Sequence, residues 1–71
     1  MTPLGTIRKN SREEIRFTVE MFKGLEVVNG RVWYLDDAGE YRPGKQGLAI
    51  RLDLLGEVLD ALAKARRAVR Q

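Results

Sequence analysis

Three groups of side chains in this 71-residue sequence have types and spacings that could do chemistry. Asp36, Asp37 and Glu40 are oxygen ligands close together in the chain, of the kind that hold Mg²⁺ or Ca²⁺. Their spacing is not that of an EF-hand loop, and Asp-Asp-x-Gly is an ordinary turn, so no metal site is expected. Lys64, Arg66, Arg67 and Arg70 could meet phosphate, or could simply be a solvated helix end favoured by the backbone dipole. The third group is the most informative: Phe22-Lys23-Gly24, Arg31, Trp33-Tyr34 and Tyr41-Arg42-Pro43-Gly44-Lys45. Aromatic rings interleaved with cations on a sheet suit a single-stranded nucleic acid. Its bases stack on rings at about 1–3 kcal/mol each while the cations follow its phosphates. The competing reading is that these aromatics are strand core. Duplex DNA would instead call for a helix fitted to a groove.

The missing residue types narrow the chemistry further. There is no cysteine and no histidine, which removes thiolate nucleophiles, the usual zinc ligands and the commonest general base. Neither phosphate-binding glycine motif occurs, so neither an enzyme nor a cofactor is expected. Hydrophobic residues make up 44% and charged residues 32%, the balance of a soluble globular domain. No apolar run approaches the ~18 residues of a membrane span, so no membrane partner is expected. Met1-Thr2-Pro3-Leu4-Gly5 lacks the basic head and apolar stretch of a secretory signal. A cytoplasmic location is the expectation, nucleoid-associated if the source is prokaryotic. Thirteen Lys and Arg against ten Asp and Glu leave +3, a modest pointer to a polyanionic partner.

The elements that must position these groups are legible from periodicity. Ile15, Phe17, Val19 and Met21 alternate with Arg16, Thr18 and Glu20, which predicts a strand with one buried face. Gly24 suits a turn of positive φ. A second run from Leu25 to Asp36 is rich in valine and holds Trp33 and Tyr34, although Asn29-Gly30 inside it is locally a hairpin signal. Asp36-Asp37-Ala38-Gly39 is a turn, Arg42-Pro43-Gly44 a kink or loop, and Leu48-Ala49-Ile50 another strand. Thr6-Ile7-Arg8-Lys9 is a candidate first strand. From Leu54 onward the period becomes helical, through Leu55, Val58, Leu59, Leu62, Ala65 and Val69. Asp53, Glu57 and Asp60 lie in its first half and basic residues in its second, matching the dipole.

One domain, 1–71, is therefore expected: a flexible leader or first strand over 1–11, sheet over 12–50, helix over 52–70. A folded chain this short buries only about 60% of the surface its unfolded form exposes. With no disulfide or metal to supplement the core, self-association is the remaining source of stability.

The stretch from Phe22-Lys23-Gly24 to Gly47-Leu48 reads F-K-G, then R-x-W-Y-x-D-x-x-G-E-x-x-P-G-x-x-G. This pattern resembles the positive cofactor four family, the single-stranded-DNA-binding domain of a eukaryotic transcriptional coactivator and its short bacterial and phage relatives. The likeness runs from about Ile15 to Ile50, and Gly5 to Glu14 is similar to the leader of the short prokaryotic members. It implies an α+β fold, a curved antiparallel sheet of four strands followed by one C-terminal helix, dimeric through the helices. It also implies one long strand through Asn29-Gly30, with Gly30 as a bulge or bend. Phe22 and Tyr34 fall where family aromatics stack on bases. Lys23, Arg31 and Arg42 fall where family cations meet the backbone, Lys45 lies in the basic loop, and Arg8 and Lys9 complete the DNA-binding set. Leu25 and Gln46 stand where the eukaryotic coactivator has lysines. Trp33, of opposite parity to Tyr34, shares a face with Leu25, Val27 and Leu35 and is assigned to the core.

The resulting expectation is non-catalytic, largely sequence-independent binding of single-stranded DNA by a homodimer, serving transcription or DNA maintenance. Leu55, Val58, Leu59 and Leu62 are the expected dimer seam, and the transcription machinery is a further candidate partner. Two alternatives stay open: RNA as the ligand, or a protein-interaction module docking an acidic partner on the basic sheet face.

Overall fold

The sheet is built around one tight hairpin. Lys23 at φ 52° and Gly24 at φ 81° are the two loop residues between paired Phe22 and Leu25. Two successive positive φ values are those of a type I′ turn, whose twist matches that of the flanking strands. In the computed structural model, which describes residues 2–69, four strands and a helix follow in order. They are β1 (Thr2–Arg8), β2 (Glu13–Phe22), β3 (Leu25–Leu35), β4 (Tyr41–Arg51), a 3₁₀ turn (Leu52–Leu54) and α1 (Leu55–Val69). All neighbours are antiparallel in the sheet order β1-β2-β3-β4. The α+β architecture is the one expected. The first strand fills most of 1–11, helical structure begins at Leu52, and residue 70 lies outside the described residues.

Asn29-Gly30 is neither a turn nor a bulge. β2 and β3 pair without a break from Glu13↔Tyr34 to Phe22↔Leu25, placing Phe17 opposite Gly30. A Cβ on Gly30 would lie 2.8 Å from the Phe17 ring, so glycine is there to admit an aromatic ring. The irregularity sits instead between β3 and β4. Arg31 pairs with Gly47 and Trp33 with Pro43, so Val32 faces three residues, Gly44 to Gln46. Of Arg42-Pro43-Gly44, read from sequence as a kink or loop, Arg42 and Pro43 instead pair within β4 and only Gly44 enters the bulge.

Register sorts the side chains onto two faces. One carries Ile15, Phe17, Val19, Val28, Val32, Leu48 and Ile50. Val58 and Leu62 of α1 stand across from it and line the same cleft as Ile15, Phe17, Val28, Leu48 and Ile50. The other face has no helix over it. The slab measures 42 × 39 × 18 Å, and among the described residues Val27 alone counts as buried. Leu48 on the sheet and Leu59 and Leu62 on the helix are 63, 56 and 61% exposed. The apolar layer is thus formed but not closed within one chain.

Candidate nucleic-acid interface

Cross-strand rows build the helix-free face. Thr6, Arg16, Arg31 and Gly47 form one row, and Arg8, Glu14, Trp33 and Pro43 the next. Thr18, Asn29 and Ala49 follow in the other direction, then Glu20, Val27 and Arg51, with Phe22 and Leu25 closing the hairpin end. The Arg16 guanidinium lies 4.1 Å from the Trp33 ring centroid and 5.5 Å from that of Tyr41, while its Nε donates to Glu14 Oε2 at 2.6 Å. Stacked on one ring and paired with one carboxylate, it is held flat against the sheet. Arg31 Nη1 donates to the Gly44 carbonyl at 2.9 Å, so the β4 bulge supplies the acceptor that aims this side chain. Phe22 is 61% exposed, with Lys23 Nζ 5.4 Å from its ring centroid. Between these ends runs a groove lined by Glu20, Phe22, Val27, Asn29, Arg31 and Ala49.

Charge is segregated onto this face. It and its hairpin carry Arg8, Arg16, Lys23, Arg31 and Arg51 against Glu14 and Glu20. Five positive and two negative side chains give an excess of +3, offset in part by Asp53, which pairs with Arg51 at 3.2 Å. The remaining eight cations and eight carboxylates of the chain cancel.

The residues expected to meet DNA divide between locations. Phe22, Lys23, Arg31 and Arg8 share the helix-free face and its hairpin. Lys9, just beyond β1, pairs with Glu13 at 3.5 Å. Tyr34 lies on the opposite face, 44% exposed, beside Val32, Pro43, Gly44 and Lys45. Arg42 Nε bonds Asp36 Oδ2 at 2.7 Å; this bond and two backbone N–H donors hold the Asp36 carboxyl below its ordinary range. The same bond raises the pKa of Arg42. Asp36 is therefore a turn residue, accepting from the N–H groups of Ala38 and Glu40, and the described residues include no cluster able to hold a metal.

Trp33 does keep the company of Leu25, Val27 and Leu35, but on the helix-free side. It is half-buried beneath Arg16 rather than enclosed under the helix. Arg31 shares a face with Trp33, not with Tyr34, because residues two apart on a continuous strand point the same way. Arg16 was not singled out from sequence, and Tyr41 only as a member of the aromatic-and-cation group, with no role assigned to it. The available signal was strand parity, carried across the Lys23-Gly24 hairpin from Arg16 to Trp33 and on to Tyr41.

Comparison with known proteins agrees with this architecture. Over 57 residues the chain is 35% identical to RNA polymerase II transcriptional coactivator SUB1 of Saccharomyces cerevisiae, covering 79% of this chain and 20% of that protein. The chain thus spans about a fifth of the length of that curated relative. A crystal structure of a PC4 homologue from Burkholderia pseudomallei superposes with a TM-score of 0.82 at 29% identity, covering 93% of this chain and 89% of that one. A bacteriophage T5 homologue of the eukaryotic transcription coactivator PC4 shares the fold, with a TM-score of 0.73 at 23% identity over 94% of this chain and 77% of its own. Residues 9–61, which include β2 to β4 and the first half of α1, match the family described as Transcriptional Coactivator p15 (PC4). The chain belongs to the PC4 family of transcriptional coactivators, and the comparisons indicate no catalytic family.

Proposed function

We propose that this chain is a homodimeric, non-catalytic protein that binds single-stranded DNA, largely without regard to sequence, in transcription or DNA maintenance. The observation that carries the reading is the helix-free face, which gathers Arg8, Arg16, Arg31 and Arg51 with the rings of Phe22, Trp33 and Tyr41. Rings on a sheet can stack only on bases whose faces are free, and in a duplex those faces are already stacked. The sole α-helix among the described residues turns Val58 and Leu62 toward the sheet, so it is not presented as a major-groove reader.

The second subunit belongs to the same proposal. An apolar cleft of ≈ 270 Å³ stands open between α1 and the sheet, and the stripe Leu55, Val58, Leu59, Leu62 flanks it. Packing that stripe against its copy in a partner covers the exposed leucines and leaves both helix-free faces outward.

Titration of the protein with a fifteen-nucleotide oligothymidine tests the reading. Stacking quenches intrinsic Trp and Tyr fluorescence, and affinity exceeds that for a duplex of equal length. Unchanged fluorescence and no binding would refute it in favour of docking by an acidic protein. Tighter binding of oligouridine would move the ligand to RNA.

A further inference from the structure

One carboxylate stands inside the groove where a nucleic acid is proposed to run. Glu20 Oε2 accepts from Thr18 Oγ1 at 2.8 Å and from Asn29 Nδ2 at 3.2 Å. These bonds, Thr18's first, hold its carboxyl below the ordinary range, so it is charged at neutral pH. It shares the groove with Phe22, Asn29 and Arg31. A phosphate placed there would meet a like charge, so the strand's backbone must follow Lys23 and Arg31 and turn its bases toward Glu20.

The groups left for those bases include two acceptors. Among the described residues no donor reaches Glu20 Oε1, and Asn29, which gives one of its two amide hydrogens to Glu20, presents Oδ1 as a second acceptor. Beside them lies the exposed face of Phe22, a platform on which a base can stack. Thymine offers one N–H donor between two carbonyl oxygens, which a carboxylate repels. Guanine offers adjacent N1–H and N2–H₂ donors, and its O6 finds a donor in the Arg31 guanidinium of the same groove. We infer that Glu20 and Asn29 form a base-edge site within the strand-binding groove that favours guanine over thymine. The inference rests on the single-strand reading above and adds one preferred base to an otherwise tolerant surface.

Fluorescence anisotropy with three labelled fifteen-mers tests it: oligothymidine, a repeat of two thymidines and one guanosine, and the same repeat with inosine for guanosine. Inosine keeps N1–H and O6 but lacks the exocyclic amine. Affinity should rise from oligothymidine through the inosine strand to the guanosine strand, with about tenfold between the extremes. Glu20→Gln, whose amide oxygen still accepts from Thr18 and Asn29, should compress that spread to within about threefold. Equal affinity of the unsubstituted protein for all three strands would overturn the inference. So would a Glu20→Gln variant that binds all three more tightly by one common factor, since the carboxylate would then act only as a charge. If no strand binds at all, the proposed function falls and this inference with it; binding without base preference removes this inference alone.

Discussion

Replacing Arg31 separates a phosphate contact from a structural one. Of the five cations on the helix-free face and its hairpin, Arg16 is tied to Glu14 at 2.6 Å and Arg51 to Asp53 at 3.2 Å. Arg31 spends one donor on the Gly44 carbonyl and, among the described residues, has no carboxylate within ion-pair distance. Its remaining donors are available to a phosphate. Each phosphate neutralised on a single strand contributes about −0.7 to the slope of log K against log[salt]. Five cations give about −3.5, and Arg31→Met, which keeps the apolar stem, should bring the slope to about −2.8. Raising NaCl fourfold then weakens the unsubstituted protein about 130-fold and the variant about 50-fold. At low salt the lost charge-assisted bond is worth about 1.5 kcal/mol, a drop of roughly tenfold in affinity. Losing the bond to Gly44 costs about 1 kcal/mol of stability, or a melting temperature lower by about 5 °C. Arg31→Lys is the control: it should keep the slope while losing the bond to the bulge. Anisotropy titrations of oligothymidine across the salt series measure all of this. A weakened Arg31→Met variant with an unchanged slope would refute the phosphate contact and leave distortion of the β4 bulge as the cause.

Three further outcomes are expected. Leu59→Asp, at a position 56% exposed in the single chain, should put an unpaired charge into the helix seam and abolish the folded dimer. A folded monomer of the unsubstituted protein at micromolar concentration in sedimentation would refute the seam. Gly30→Ala, whose Cβ would come within 2.8 Å of the Phe17 ring, should destabilise by about 1–3 kcal/mol in chemical denaturation, and an unaltered midpoint would show that the ring moves freely. Trp33→Ala should weaken single-strand binding by about 1–3 kcal/mol and, being half-buried, reduce stability by about 2 kcal/mol, whereas Tyr34→Ala should leave the melting temperature nearly unchanged. Full affinity in Trp33→Ala would return the stacking platform to Tyr34, as the family resemblance assigns it.

How legible each feature was depends on the range of the interaction behind it. The β2 alternation, the Lys23-Gly24 turn and the helical period after Leu54 are local properties, and the fold follows them. Asn29-Gly30 shows the opposite case. The dipeptide favours a hairpin in isolation, yet its glycine answers to Phe17, thirteen positions earlier and on another strand. Ten continuous β2–β3 pairs outweigh that local preference. The β4 bulge left only a Pro-Gly pair as its trace, because three residues facing one is a property of two strands together. In the site, Phe22, Lys23 and Arg31 were readable from type and spacing. Arg16 was not, and Tyr41 was readable only as a residue type, since their place beside Trp33 exists only once β2, β3 and β4 are in register.

The net charge of +3 understates what the face can do, because composition averages over surfaces that the sheet keeps apart. Away from the helix-free face and its hairpin, eight cations and eight carboxylates cancel, Lys9 and Arg42 among them pairing with Glu13 and Asp36. Strand parity puts the surplus where the rings are, and the same parity sends Ile15, Phe17, Val28 and Ile50 to the other side. A chain of this size cannot close that apolar side alone, as the exposure of Leu48, Leu59 and Leu62 shows. In the proposed dimer a second copy closes it by covering these leucines. On the function proposed above, dimerisation and strand binding draw on opposite faces of one sheet, and pairing doubles the number of basic faces turned outward.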